Sequence, residues 1–207
     1  MEITMPQYLE PKWKSYVAVS QNPVFTTQQC DEVIRIGQTQ RSEKGAVGVG
    51  TIQQGVISKG TAGKVDPKKR ISKISFIPFD IGAPVYRTLE RWIMDVNANH
   101  FGFDGILISE TAQYTEYDVG GFYDWHTDSN LFMDDMPPVR KISLTVLLND
   151  PKEFDGGHLE LISDKNRPPL KRGQAIFFAS FIPHQVKPVT RGNRKSLVMW
   201  CGGPPLR

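Results

Sequence analysis

The chain has 207 residues, 39% hydrophobic and 23% charged, which suits one globular domain with a sizeable core. A formal net charge of +3 falls short of the concentrated basic footprint of a dedicated nucleic-acid binder, and leaves anionic small molecules as partners. Two distant cysteines, Cys30 and Cys201, exclude a disulfide scaffold and a C-x-x-C metal or redox site, and fit a reducing compartment.

The opening MEITMPQYLEPKWK carries acids and prolines and lacks the apolar stretch of a signal peptide. No apolar run is long enough to span a bilayer, so a soluble, cytoplasmic protein is expected. Residues 26–40, TTQQCDEVIRIGQTQ, predict a first helix capped by Thr26 or Thr27, with Cys30, Val33, Ile34 and Gly37 along one face. Residues 41–70 hold six glycines and seven lysines or arginines. VGVGTIQQGVIS within them suits a glycine-rich hairpin. The whole 41–70 segment reads as a mobile lid or substrate loop, or as a plain surface excursion.

ISKISFI (71–77) alternates as a strand. Residues 81–99 give the clearest helix, because Val85, Leu89, Trp92, Ile93 and Val96 recur with helical spacing. Beyond it come short β-rich runs bounded by Gly, Pro, Asp or Asn: 105–117, 141–150, 158–163, 173–180 and 194–201. Two helices followed by a series of strands predict an α+β, mainly β chain, one domain over 1–207, with a sandwich or barrel at its heart.

The P-loop pattern, a strand-borne G-x-G-x-x-G, H-E-x-x-H and G-x-S-x-G are all absent, which weighs against nucleotide binding, zincin chemistry and serine hydrolysis. Both cysteines lie in apolar periodic segments and read as core residues.

Four histidines remain: His100, His126, His158 and His184. His126 and Asp128 stand two apart, so on extended backbone both side chains project from one face. A second histidine from another strand would complete a 2-His-1-carboxylate face, the ligand set of non-haem Fe(II) oxygenases. H-x-D alone is a weak signal. His100 ends a helix in NANHF and suits a C-terminal dipole partner. His158 opens a strand in DGGHLEL. His184 has the better context, in a turn just after QAIFFAS. Ten residues later, Arg194 starts a strand and offers a planar fork for a carboxylate; Ser196 shares its face and adds a hydroxyl. Read alone, Arg194 is also an ordinary arginine of the basic turn RGNRK.

Taken together, Y-x-x-G-x-x-Y-x-x-H-x-D (Tyr117 to Asp128), DGG-x-L (Asp155 to Leu159) and F-x-x-x-x-x-H-x-V-x-P-V-x-x-G-x-R-x-S (Phe178 to Ser196) resemble the 2-oxoglutarate- and Fe(II)-dependent dioxygenases. The nearest subgroup is the prolyl 4-hydroxylase-like one, with its small bacterial and viral members. KKRISKISFIP and RKISLTVLLND resemble two more strands of that family. The resemblance covers roughly residues 25–203.

The resemblance implies a double-stranded β-helix, or jelly-roll, with the N-terminal helices packed on one sheet. His126, Asp128 and His184 would bind Fe(II). Arg194 would pair with the distal carboxylate of 2-oxoglutarate, with Tyr117 and Ser196 beside it, and ascorbate would serve as reductant. The implied reaction hydroxylates a substrate C–H bond while 2-oxoglutarate is decarboxylated to succinate; prolyl hydroxylation of a protein or peptide leads. Asp128 disfavours halogenation, since related halogenases lack this carboxylate. Tyr123, Trp200, Arg140 and Arg70 are the candidate substrate contacts, with core packing the other reading of Tyr123 and solvated strand ends that of Arg140 and Arg70, whereas Phe122 and Trp125 read as packing residues. His158 after DGG, and Arg194 where many prolyl 4-hydroxylases use lysine, are departures that bear on subgroup and substrate. A hydroxylase of a free amino acid or other small molecule is the alternative, and a non-catalytic jelly-roll binding module comes from another class. Nucleic-acid demethylation is disfavoured, because Leu197 and Trp200 stand where those relatives place a second arginine.

Overall fold

The computed structural model describes residues 15–47, 52–53, 56–57, 64–129, 138–162 and 169–204, with backbone only at 52–53 and 56–57. The N-terminal stretch read above and parts of the 41–70 segment lie outside these residues.

The first half of the chain forms β1 (Val17–Val19), α1 (Thr27–Thr39), β2 (Glu43–Lys44), β3 (Ile52–Gln53), β4 (Val56–Ile57), β5 (Arg70–Ile71), β6 (Lys73–Phe76) and α2 (Ala83–Val96). Next come β7 (Leu107–Ile108), β8 (Gln113–Tyr117), β9 (Phe122–His126) and β10 (Val139–Leu147). The chain closes with β11 (Phe154–Gly156), β12 (Leu159–Leu161), β13 (Ala175–Ala179), β14 (His184–Val186), β15 (Val189–Gly192) and β16 (Arg194–Gly203).

Thr26 caps α1 in a reciprocal box: its hydroxyl accepts from the Gln29 amide at 3.2 Å, and the Gln29 side chain accepts from the Thr26 amide at 2.9 Å. The helix buries Cys30, Val33, Ile36 and Gly37; Ile34 is only partly covered, because Ile36 takes the inner face. α2 starts with Pro84 in its first turn and buries Val85, Tyr86, Leu89, Ile93 and Val96, leaving Trp92 at the rim. It ends earlier than its periodicity suggests. A wider π-helical turn, Asn97–Phe101, follows and takes in His100. No helix among the described residues is long and apolar enough to cross a membrane.

Antiparallel pairing builds a major sheet in the order β1-β13-β10-β16-β8-β6-β2, with β7 beside β16. A minor sheet runs β12-β14-β9-β5, and two short ribbons pair β11 with β15 and β3 with β4. The β3–β4 ribbon sets Ile52 opposite Ile57, within the stretch expected as a hairpin. The expected strand 71–77 is two strands: β5 pairs with β9 in the minor sheet, while β6 pairs with β8 in the major one.

Register assigns a job to each face of the major sheet, because residues directly opposite each other share a face. Leu144 opposes Phe177 and Met199, and Val146 opposes Ala175 and Leu197. With Tyr114 opposite Leu197, these side chains form the core shared with α1 and α2. The other face carries Ser143 opposite Phe178 and Trp200, then Ser196 opposite Thr115 and Arg194 opposite Tyr117. That face looks toward the minor sheet. Tyr117 packs with Val186, Val189, Tyr123 and Leu159, and the Phe178 ring meets His184 edge-on at 4.6 Å. This is the α+β jelly-roll architecture, with helices on the outer face of one sheet.

Candidate active site

His126 ends β9 and His184 begins β14, and the two are direct register partners in the minor sheet. Asp128 follows β9 by two residues, held where its amide donates to the Ser180 carbonyl at 2.9 Å. One ligand atom from each of the three lies within 4.8 Å of the others. His126 Nε2 is 3.7 Å from Asp128 Oδ1, and His184 Nε2 is 3.5 Å from Asp128 Oδ2. Tyr117 and this pair are joined by a turn at Gly120, whose φ of 82° suits glycine.

Hydrogen bonding fixes what these groups present. His126 Nδ1 lies 2.8 Å from the Asp124 carbonyl, and His184 Nδ1 lies 3.0 Å from the Ile182 carbonyl. A carbonyl only accepts, so each Nδ1 carries the proton and each Nε2 lone pair faces the cluster. Burial and the neighbouring His184 pull the His126 pKa down to about 4. Burial alone would raise Asp128. His184, His126 and Arg140, together with a 2.6 Å bond from Ser143 Oγ, outweigh that effect and hold the carboxyl below its ordinary range. Ser143 spends its proton on Asp128, so Ser180 Oγ, 2.9 Å away, donates to Ser143 in turn. Two imidazoles that turn Nε2 toward the cluster, beside one carboxylate, fit a divalent iron.

Arg194 is 4% exposed on the inner face. Its Nη1 donates to Ser196 Oγ at 3.0 Å, leaving that hydroxyl free to donate, and its guanidinium lies 5.6 Å from the Tyr117 ring. No carboxylate pairs with it among the described residues, and burial lowers its pKa. Gly157 of the DGG turn packs on it: a Cβ there would sit 2.8 Å from Arg194 Cδ. A cavity of about 630 Å³ reaches Arg194 between Leu147, Phe154, Gly157, Leu159 and Ile176. The three ligands do not line this cavity, which lies on the Arg194 side of the barrel. His158 lines its exposed part and stands outside the metal cluster, as does His100.

Trp200 is buried on the same inner face, and its indole N–H has no partner among the described residues. The Arg140 guanidinium stacks 4.0 Å over the Trp200 ring and is forked onto Glu110, with Nε donating to Oε1 at 2.6 Å and Nη2 to Oε2. Tyr123 stacks on His126 with ring centres 3.5 Å apart, and Arg70 lies 4.5 Å over the Tyr123 ring. Burial pushes the Tyr123 hydroxyl up to about 12. Phe122 is half-buried opposite Ile71, and Trp125 is exposed. Both cysteines are buried, and desolvation pushes the thiols up to about 11 (Cys30) and about 12 (Cys201), far from thiolate chemistry.

Ser143, Ser180 and Glu110 are site residues the sequence reading missed. Ser143 and Thr145 alternate with Ile142, Leu144 and Val146, a legible sign of a polar inner face. Glu110 carries no such signal, because it precedes β8 in an irregular stretch.

Residues 112–202 match the family model described as the 2OG-Fe(II) oxygenase superfamily. A PKHD-type hydroxylase of Hyphomonas neptunium is 31% identical over 128 residues, 58% of this chain and 56% of that protein. One from Synechococcus is 37% identical over 87 residues, 41% of this chain and 39% of that protein. The chain thus spans about half the length of the curated relatives it matches, or less. The fold is that of a viral collagen prolyl hydroxylase from Paramecium bursaria Chlorella virus-1, solved with 2OG: TM-score 0.67, 20% identity, covering 92% of this chain and 97% of that one. A Pseudomonas putida prolyl-4-hydroxylase gives a TM-score of 0.63 at 18% identity, covering 93% and 95%. A His–Asp–His cluster in this setting supports Fe(II) and 2-oxoglutarate as ligands. Residues 112–202 are thus similar to the 2OG-Fe(II) oxygenase superfamily, and the fold is shared with solved prolyl hydroxylases.

Proposed function

We propose that the protein is a 2-oxoglutarate- and Fe(II)-dependent dioxygenase that hydroxylates a prolyl residue of a protein or peptide, with decarboxylation of 2-oxoglutarate to succinate. The observation that carries this reading is one shared interior. A three-ligand cluster and a buried arginine without a carboxylate partner among the described residues sit between the same two sheets.

His126, Asp128 and His184 would hold the iron, which supplies redox activation of dioxygen coupled to decarboxylation of the cosubstrate. The chain's own residues bind, orient and exclude water. Nδ1–H bonds to the Asp124 and Ile182 carbonyls aim both Nε2 atoms, and Ser143 keeps Asp128 anionic and turned to the cluster. Arg194 takes the distal carboxylate of 2-oxoglutarate, with Ser196 and Tyr117 beside it, and Leu147, Leu159 and Ile176 keep that end dry. Trp200 and Arg140, stacked on each other, form the substrate wall. Support for a peptide comes from the neighbours. One is a collagen prolyl hydroxylase, and another is a Trichoplax adhaerens prolyl hydroxylase in complex with a hypoxia inducible factor peptide fragment.

The test supplies Fe(II), ascorbate as reductant, oxygen and 2-oxoglutarate, and measures succinate with and without proline-rich peptides. Succinate formation stimulated by such peptides, with a gain of one oxygen in the peptide mass, is the expected result. Succinate stimulated only by free amino acids would move the substrate to a small molecule. No turnover and no metal-dependent 2-oxoglutarate binding would overturn the reading.

A further inference from the structure

His126 stands at the last position of β9, an inner strand of the minor sheet, with β14 on one side and β5 on the other. Its ring is held by a stack. Tyr123 lies nearly parallel to it, with ring centres 3.5 Å apart at 12°. Arg70 covers the other side of Tyr123 at 4.5 Å and is its register partner across β5–β9. Arg70 is itself 7% exposed and pairs with no carboxylate among the described residues. Its position is set by two polar contacts: Nε donates to Ser72 Oγ at 2.8 Å, and Nη1 donates to the Ala46 carbonyl at 3.2 Å. Gly45 closes the arrangement. Its amide donates to the Ser72 carbonyl at 2.9 Å, and a Cβ on it would lie 2.3 Å from Ser72 Oγ and 2.4 Å from Arg70 Nε.

We infer that Arg70 and Tyr123 are positioning residues for the metal, a stack that transmits the docking of residues 45–46 to the His126 ring. The inference rests on the metal-site reading above. The physical reason is twofold. An imidazole that donates its lone pair to a cation gains positive character, which the electron-rich face of a tyrosine ring stabilises. The same ring is a wall that confines imidazole rotation, and the guanidinium behind it keeps the wall upright. Pairing Arg70 with the Ala46 carbonyl makes ligand order depend on residues 45–46 being docked.

The test titrates the metal-free full chain with Co(II), reads by its visible absorption, beside His126→Ala as the ligand-loss control. Tyr123→Leu should weaken Co(II) binding about tenfold, as loss of a group that orients a ligand does, while Tyr123→Phe, which keeps the ring, should restore it. Arg70→Leu and Gly45→Ala should each weaken binding about two- to fivefold, the scale of a cation–π contact. Their double variant should match Arg70→Leu alone, because Gly45→Ala acts by displacing that arginine. Thermal unfolding identifies the folded variants. Should Arg70→Leu not fold, Gly45→Ala against Tyr123→Phe carries the comparison. If Co(II) binding is present, lost in His126→Ala and unchanged in folded Tyr123→Leu and Gly45→Ala, the inference is overturned and the metal site stands. If the wild-type chain binds no Co(II), both are overturned.

Discussion

Ser143, in the middle of β10 in the major sheet, donates a 2.6 Å hydrogen bond to Asp128 Oδ2. The carboxylate ligand belongs to a loop after the minor sheet, so this bond ties a ligand of one sheet to the floor of the other. Ser143→Ala is expected to lower metal affinity about tenfold with little loss of fold, since the site's other polar contact, Ser180, remains. Equilibrium Co(II) titration checks it. Unchanged affinity would mean that the backbone bonds to Ser180 hold Asp128 unaided.

Arg194 is expected to separate function from stability. Its guanidinium is buried with no carboxylate partner among the described residues, and burial lowers its pKa, so the charge carries a desolvation cost. Arg194→Met should raise the melting temperature of the metal-free protein, by about 1 kcal/mol of stability or more, while abolishing 2-oxoglutarate binding. Calorimetry with and without 2-oxoglutarate reads both. A variant that loses stability would show that Ser196 and Tyr117 already compensate the charge.

Glu110 and Arg140 make the opposite case, a forked pair largely shielded from water under Trp200. Glu110→Gln should cost about 3 kcal/mol, because it strands a buried guanidinium, whereas Glu110→Leu with Arg140→Met should recover most of that loss. Denaturant melts of the single and double variants measure the coupling. Peptide-stimulated turnover should stay low in the double variant, where the substrate wall is gone.

His126 sets an acid limit for the metal-free protein. Its folded pKa of about 4 lies below the ordinary 6.5, so the unfolded chain binds more protons between those values. Stability is fully present above pH 6.5 and falls as pH drops toward 4, by on the order of 3 kcal/mol over the window. Melting temperatures of wild type and His126→Gln across that range should converge at the acid end. Parallel curves would contradict the burial of a neutral imidazole.

Much of this site was legible because its strongest constraints are local. His126 and Asp128 are two apart on nearly extended chain, and Arg194, Ser196 and Trp200 share a face by simple alternation on β16. The helices were legible through Thr26, Val85, Leu89 and Ile93 for the same reason. What pattern reading misses is pairing across sheets. Ser143 reaching Asp128, Glu110 meeting Arg140 and Arg70 lying on Tyr123 depend on register between distant segments. The strand 71–77 was misread as continuous because alternation does not reveal when a chain changes sheets.

That change of sheet has a mechanical consequence. β5 belongs to the minor sheet, β6 to the major one, and Ser72 alone joins them. A single residue cannot stretch, so at this corner the gap between the sheets is pinned covalently, beside the stack that bears on His126. Any widening of the barrel to admit a bulky ligand is therefore limited at this corner to what the turn at Ser72 can absorb.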